Sequence, residues 1–191
     1  MPLEGGASSK AGRMKGLIGL LLLMDLQGGL WAQRQYSALP FPPYEIYEAV
    51  IGYAEASDLK GVSKTLPYLK PLFNALRKRR GKDFETSIRR ALDAKIPSTA
   101  KAALLEMIFE DMLFNLEAAD ATGAVAQYRE SLQMAFMDYH FLSPAVRSSN
   151  PALDAAVLRG FKLAYRLGKT RGILELVPGV EHALSAKLGL K

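Results

Sequence analysis

Two sets of side chains in this chain have the types and spacing to do chemistry. Glu106, Glu110 and Glu117 follow one another at steps of four and seven residues, which nearly repeat the turn of an α-helix, so their carboxylates share one narrow sector. Grouped oxygens of this kind hold divalent cations, and an added imidazole widens the choice to iron, zinc or copper. His140, within Phe136-Met137-Asp138-Tyr139-His140-Phe141, supplies the imidazole. Helical phase sets it beside Phe136 at the edge of an apolar stripe, where a ring can meet a metal, a haem or a carboxylate. The metal assignment is therefore His140, Glu106 and Glu110, with iron or another divalent ion and an electron-transfer role as the associated function. A plainer account competes with it. The acid sector lies away from the stripe of Leu105, Phe109, Met112 and Leu116, so a solvated polar face is expected. Glu106, Glu110, Asp111 and Glu130 should point away from the stripes they accompany, leaving no assembled site and no cofactor. A histidine at a core edge is ordinarily a hydrogen-bonded packing residue, and His182, beside Glu181, reads as surface. No Glu-x-x-His pair of the kind found in carboxylate-bridged iron bundles occurs.

Arg77, Lys78, Arg79, Arg80 and Lys82, around Gly81, form the densest charge run. Cations before a glycine that ends a helix complement the negative end of its dipole and extend into water. From there they can contact an anionic membrane surface or an acidic protein, and nucleic acid is not expected. The chain contains no cysteine, which excludes disulfides, thiolate zinc sites, iron–sulfur clusters and a cysteine nucleophile. Ser143 and His140 lack a third orienting group, and no nucleophile elbow or phosphate-cradling glycine loop is present. An enzyme is not expected.

The elements that must position these residues read as helices punctuated by proline and glycine. Apolar spacing predicts Tyr44 to Ala56, then a short segment capped by Ser57 or Asp58. Thr65 to Arg80 follows, with Pro67 in its first turn, Pro71 deeper and Gly81 as its stop. Asp83 to Ala94 comes third. A fourth helix, from Ser98 or Thr99 to about Ala121, carries the widest apolar stripe and is placed at the centre of the core. Ala124 to Leu142 is fifth, with Val125, Tyr128, Leu132, Ala135, Phe136 and Tyr139 inward and Pro144 closing it. Asn150-Pro151 opens the sixth, ending at Gly168. A last segment from Gly172 breaks at Pro178-Gly179. No alternating run of strand length occurs, so the fold class is all-α, a bundle of about six helices.

Ahead of the bundle, Lys10, Arg13 and Lys15, the apolar run Leu17 to Met24, and Leu30-Trp31-Ala32 before Gln33 have the layout of a secretory signal peptide. Asp25 and Gln27 interrupt the run well short of the roughly 20 apolar residues a membrane span takes. Residues 1–32 are therefore assigned as a signal peptide, with an uncleaved anchor over 16–32 as the alternative. Residues 33–43, rich in proline, form an extended lead-in, and 44–191 form one domain. Cleavage leaves 159 residues, enough to bury a core without covalent staples. The segment 1–32 carries +1 of the formal +6, so +5 remains on the domain. A periplasmic or secreted protein meeting another extracytoplasmic protein or an anionic surface is the expectation.

Residues 135–168 read AFMDYHFLSPAVRSSNPALDAAVLRGFKLAYRLG. This stretch resembles the extracytoplasmic helical domain of the high-affinity iron permease family, in which an aromatic-rich helix end with two glutamates leads through a proline and a polar link to Asp-Pro-Ala-Leu and a glycine-ended helix. Pro144, Asn150, Pro151, Ala152 and Leu153 match that frame. His140 and Ser143 stand where the family pattern has its acids, and the family's membrane motif Arg-Glu-x-x-Glu does not occur. The resemblance implies a stand-alone periplasmic bundle, an accessory to metal uptake or redox and not a transporter.

Export has a direct readout. Mass spectrometry of the protein from its native host is expected to find a mature N-terminus at or near Gln33, and an intact Met1 or Met14 in a soluble cytoplasmic fraction would refute it.

Overall fold

The computed structural model describes residues 43–188, all of whose regular elements are helical. The segment 1–32 expected to be a signal peptide, and the expected lead-in up to residue 42, lie outside the described residues. Eight helical segments follow one another: α1 Pro43–Glu55, α2 Leu59–Arg80, α3 Phe84–Asp93, α4 Pro97–Ala121, α5 Val125–Ser149, α6 Pro151–Leu167, α7 Arg171–Leu174 and α8 Val177–Leu188. The seventh is a single turn, so seven helices of real length stand where about six were expected.

Local chemistry sets most of the boundaries. Asp58, Asp83 and Asn150 cap α2, α3 and α6, each accepting a backbone N–H three residues on, at 2.9 Å, 3.1 Å and 3.0 Å. Pro97 and Pro151 open α4 and α6, where a missing amide donor does no harm. Gly81 and Gly168 end α2 and α6 at φ +67°, the left-handed cap that glycine enters without a Cβ penalty.

Two helices run further than proline content suggests. α2 starts at Leu59, so the separate short segment does not exist and Pro67 sits in mid-helix instead of the first turn. α5 continues past Pro144 to Ser149. The carbonyls deprived of a donor belong to Ser63, Pro67 and His140, all exposed residues beside which water can take the vacant bond. Pro178 and Gly179, expected to break the last segment, lie in the first turn of α8.

α4 and α5 form the central pair. α3, α1, α8 and α2 pack on α4, and α6, α8 and α1 pack on α5. Leu104, Leu105, Met107, Ile108, Phe109, Met112 and Leu116 of α4 are buried together with Leu132, Ala135, Tyr139 and Leu142 of α5 and Val157 and Phe161 of α6. Phe136, expected inside, is half-buried at the rim, its ring edge-on to Phe161 at 5.4 Å. Val125, also expected inward, is 67% exposed. None of the described helices is long and apolar enough to cross a membrane.

Phe109 has 4% of its surface exposed, so Phe109→Ala should lower the unfolding free energy by about 3–5 kcal/mol in a denaturant titration, with a smaller loss for the rim residue Phe136→Ala. An unchanged midpoint for Phe109→Ala would mean that the face of α4 has been misassigned.

Candidate functional site

α4 is enclosed on nearly every side, and this changes the reading of its acids. Glu110 is not on a solvated face: it is 7% exposed, and Asp111 and Asn115 beside it are 0% and 3% exposed. An ionised carboxylate in such a position must be met by donors or cations.

The basic run supplies them for Glu110. Lys82, just past the Gly81 cap, places Nζ 2.6 Å from Glu110 Oε1 and 3.2 Å from Glu106 Oε1. Arg80 sets Nε 3.3 Å from Glu110 Oε2 and Nη2 2.8 Å from Glu117 Oε1. Both arginine nitrogens are buried, and their N–H groups do not line up as hydrogen bonds, so these contacts are ion pairs by proximity. Partial burial pulls the Lys82 ammonium down, but the bonds to Glu110 and Glu106 outweigh it and hold its pKa above the ordinary lysine value. Arg77 pairs with Asp83 at 2.7 Å, and the Arg79 guanidinium lies 4.1 Å above the Phe114 ring. Of the five cations assigned to an anionic surface, Arg77, Arg79, Arg80 and Lys82 are thus engaged within the molecule, and Lys78 is exposed.

A second polar cluster lies deeper, where α1, α4 and α5 meet. Tyr47 Oη donates to Asp111 Oδ2 at 2.6 Å, and Asn115 Nδ2 donates to Asp138 Oδ2 at 2.9 Å. Burial and then the neighbouring Asp111 carboxylate push the Asp138 pKa well above the usual carboxylate range, against a smaller opposing pull from Asn115. The third cluster joins α5 to α6. Asp154 accepts from Ser143 Oγ at 2.7 Å, Arg147 Nε at 2.7 Å and Tyr139 Oη at 3.0 Å. Burial resists ionisation of Asp154, but the three donors overcome it and its pKa lies below the ordinary value. The Tyr139 hydroxyl is pushed strongly upward by burial and by the Asp154 charge.

His140 joins none of these clusters. It is exposed and not at the core boundary, with its ring edge-on to its neighbour Phe141 at 6.0 Å and no ion pair to a described carboxylate. The residues proposed as metal ligands are therefore split, with Glu106 and Glu110 facing Lys82 and Arg80 and His140 elsewhere in water. Among the described residues, no group of three or more His, Asp or Glu side chains is arranged to hold a metal ion. Glu130, expected to point outward, is half-buried, and that burial raises its pKa. Beside the Lys82 network a cleft of about 220 Å³ opens between α4 and α8, lined by Glu106, Phe109, Glu181, Leu184 and Leu188.

Sequence reasoning missed Asp138 and Asp154 and misplaced Glu110 and Asp111. A signal existed for three of them. Asp111 and Asn115 continue the line of Leu104 and Ile108, Asp138 lies between Ala135 and Leu142, and Asp154 heads the series Val157, Phe161, Ala164. Polar residues in phase with an apolar stripe are the ones a fold must satisfy internally. No protein-family model, curated protein or solved structure matches the chain.

The raised pKa of Asp138 means that the fold binds its neutral form better than the unfolded chain does. Its contribution to stability is complete below the unfolded value near 3.8 and is lost as pH rises through the folded value, whereas that of Asp154, with its lowered value, is lost as pH falls. Asp138→Asn keeps an acceptor for Asn115 without the charge. Relative to the wild type it should gain stability steadily from mildly acidic to mildly alkaline pH in thermal melts, and parallel curves would show that Asp138 does not titrate as argued.

Proposed function

We propose that this chain is an exported helical-bundle binding or accessory protein that acts through its surface, and not an enzyme or a metalloprotein. The observation that carries this reading is the internal engagement of its polar side chains. Glu110 faces two cations, Asp154 takes three donors, and the Asp111 and Asp138 carboxylates are bonded to Tyr47 and Asn115. Each set ties one helix to another, which is a structural task. The layout of residues 10–32 supports export, and the resemblance of 135–168 to the extracytoplasmic domain of iron permeases supports an accessory place near metal uptake or redox.

Calorimetric titration of the chelator-treated protein with ferrous, cupric and zinc ions tests the reading. The expected result is no heat above the buffer control. Binding at one equivalent, in the micromolar range or tighter and abolished by His140→Ala, would establish a metal protein instead.

A further inference from the structure

One group of exposed cations lies on α6, away from the densest run. Asp154, Val157, Phe161 and Ala164 form its buried side. By helical phase, Arg159, Lys162, Leu163, Arg166 and Leu167 fall on the opposite side, and all five are exposed. Lys169 follows directly after the Gly168 cap and is exposed as well. Leu163 and Leu167, one turn apart, are 54% and 66% exposed. The only acid on the helix, Asp154, is buried and already holds Tyr139, Ser143 and Arg147. None of Arg159, Lys162, Arg166 and Lys169 forms an ion pair among the described residues. Tyr128 Oη donates to the Ala164 carbonyl at 2.9 Å, which sets the start of α5 beside the end of α6 and brings Val125, 67% exposed, to the same end of the molecule.

We propose that the outward face of α6 docks flat on an anionic lipid bilayer. Cations on one flank of a helix face and leucines on the other match the two layers of a membrane interface. Leucine side chains enter the boundary between headgroups and acyl chains, while Lys and Arg remain level with the phosphates. The charge of the face has one sign. A fluid anionic surface complements it without any particular register. This rests on the reading of the chain as a surface-acting module and names the class of its partner; its failure in the vesicle test below is separable from failure of that reading, which the metal titration measures.

Sedimentation of the full chain with vesicles of phosphatidylcholine alone, and of phosphatidylcholine mixed with phosphatidylglycerol, tests it. Binding is expected only to the anionic vesicles and is expected to weaken as salt rises. Lys162→Glu/Arg166→Glu should reduce it by about tenfold or more. Leu163→Asn/Leu167→Asn should also reduce it, both at unchanged melting temperature because all four side chains are exposed, while Lys78→Glu on α2 should leave it as it was. Equal binding to both vesicles that ignores the α6 variants would trace the affinity to the apolar run 17–24 and overturn the proposal. So would binding to neither, which is the behaviour of a face built for an acidic protein.

Discussion

Enclosure of α4 is the constraint from which the rest of the arrangement follows. A helix surrounded on nearly every side can carry Glu110, Asp111 and Asn115 only if other helices bring partners to them, because an ionised group without one in a low-dielectric interior is strongly destabilising. The partners come from three directions. Lys82 and Arg80 arrive from the corner between α2 and α3, Tyr47 from α1 and Asp138 from α5. Apolar packing alone would accept several registers of these helices. The directional bonds accept far fewer.

The same constraint explains which parts of the structure were legible in the sequence. The helical class, the Asp58 and Asn150 caps, the glycine stops at Gly81 and Gly168 and the central role of α4 follow from local rules and periodicity. The continuity of α2 through Pro67 and Pro71, and of α5 through Pro144, was not legible, because local rules do not say that the deprived carbonyls belong to exposed residues. The burial of Glu110 was least legible of all. Its acceptability depends on Lys82, 28 residues earlier in the chain, and no pattern within α4 announces that cation.

Charge density along a chain is likewise a poor guide to charge on a surface. The run from Arg77 to Lys82 dominates the sequence by eye, yet most of it is matched by Asp83, Glu106, Glu110, Glu117 and the Phe114 ring. The four cations spread from Arg159 to Lys169 are unremarkable in sequence, but they are exposed and form no ion pair among the described residues. Which basic residues face a partner is thus decided by the distribution of acids as much as of bases.

Tyr139, Ser143 and Arg147 stand at successive turns of α5, and all three reach one carboxylate in the first turn of α6. Sliding α6 by a single turn would carry Asp154 about 5.4 Å along its axis, too far to keep all three bonds at once. The junction behaves as a latch with one closed position. Leu163 and Leu167, about two and a half and three and a half turns further along the same helix, therefore take their height on the molecule in part from an aspartate that they never touch.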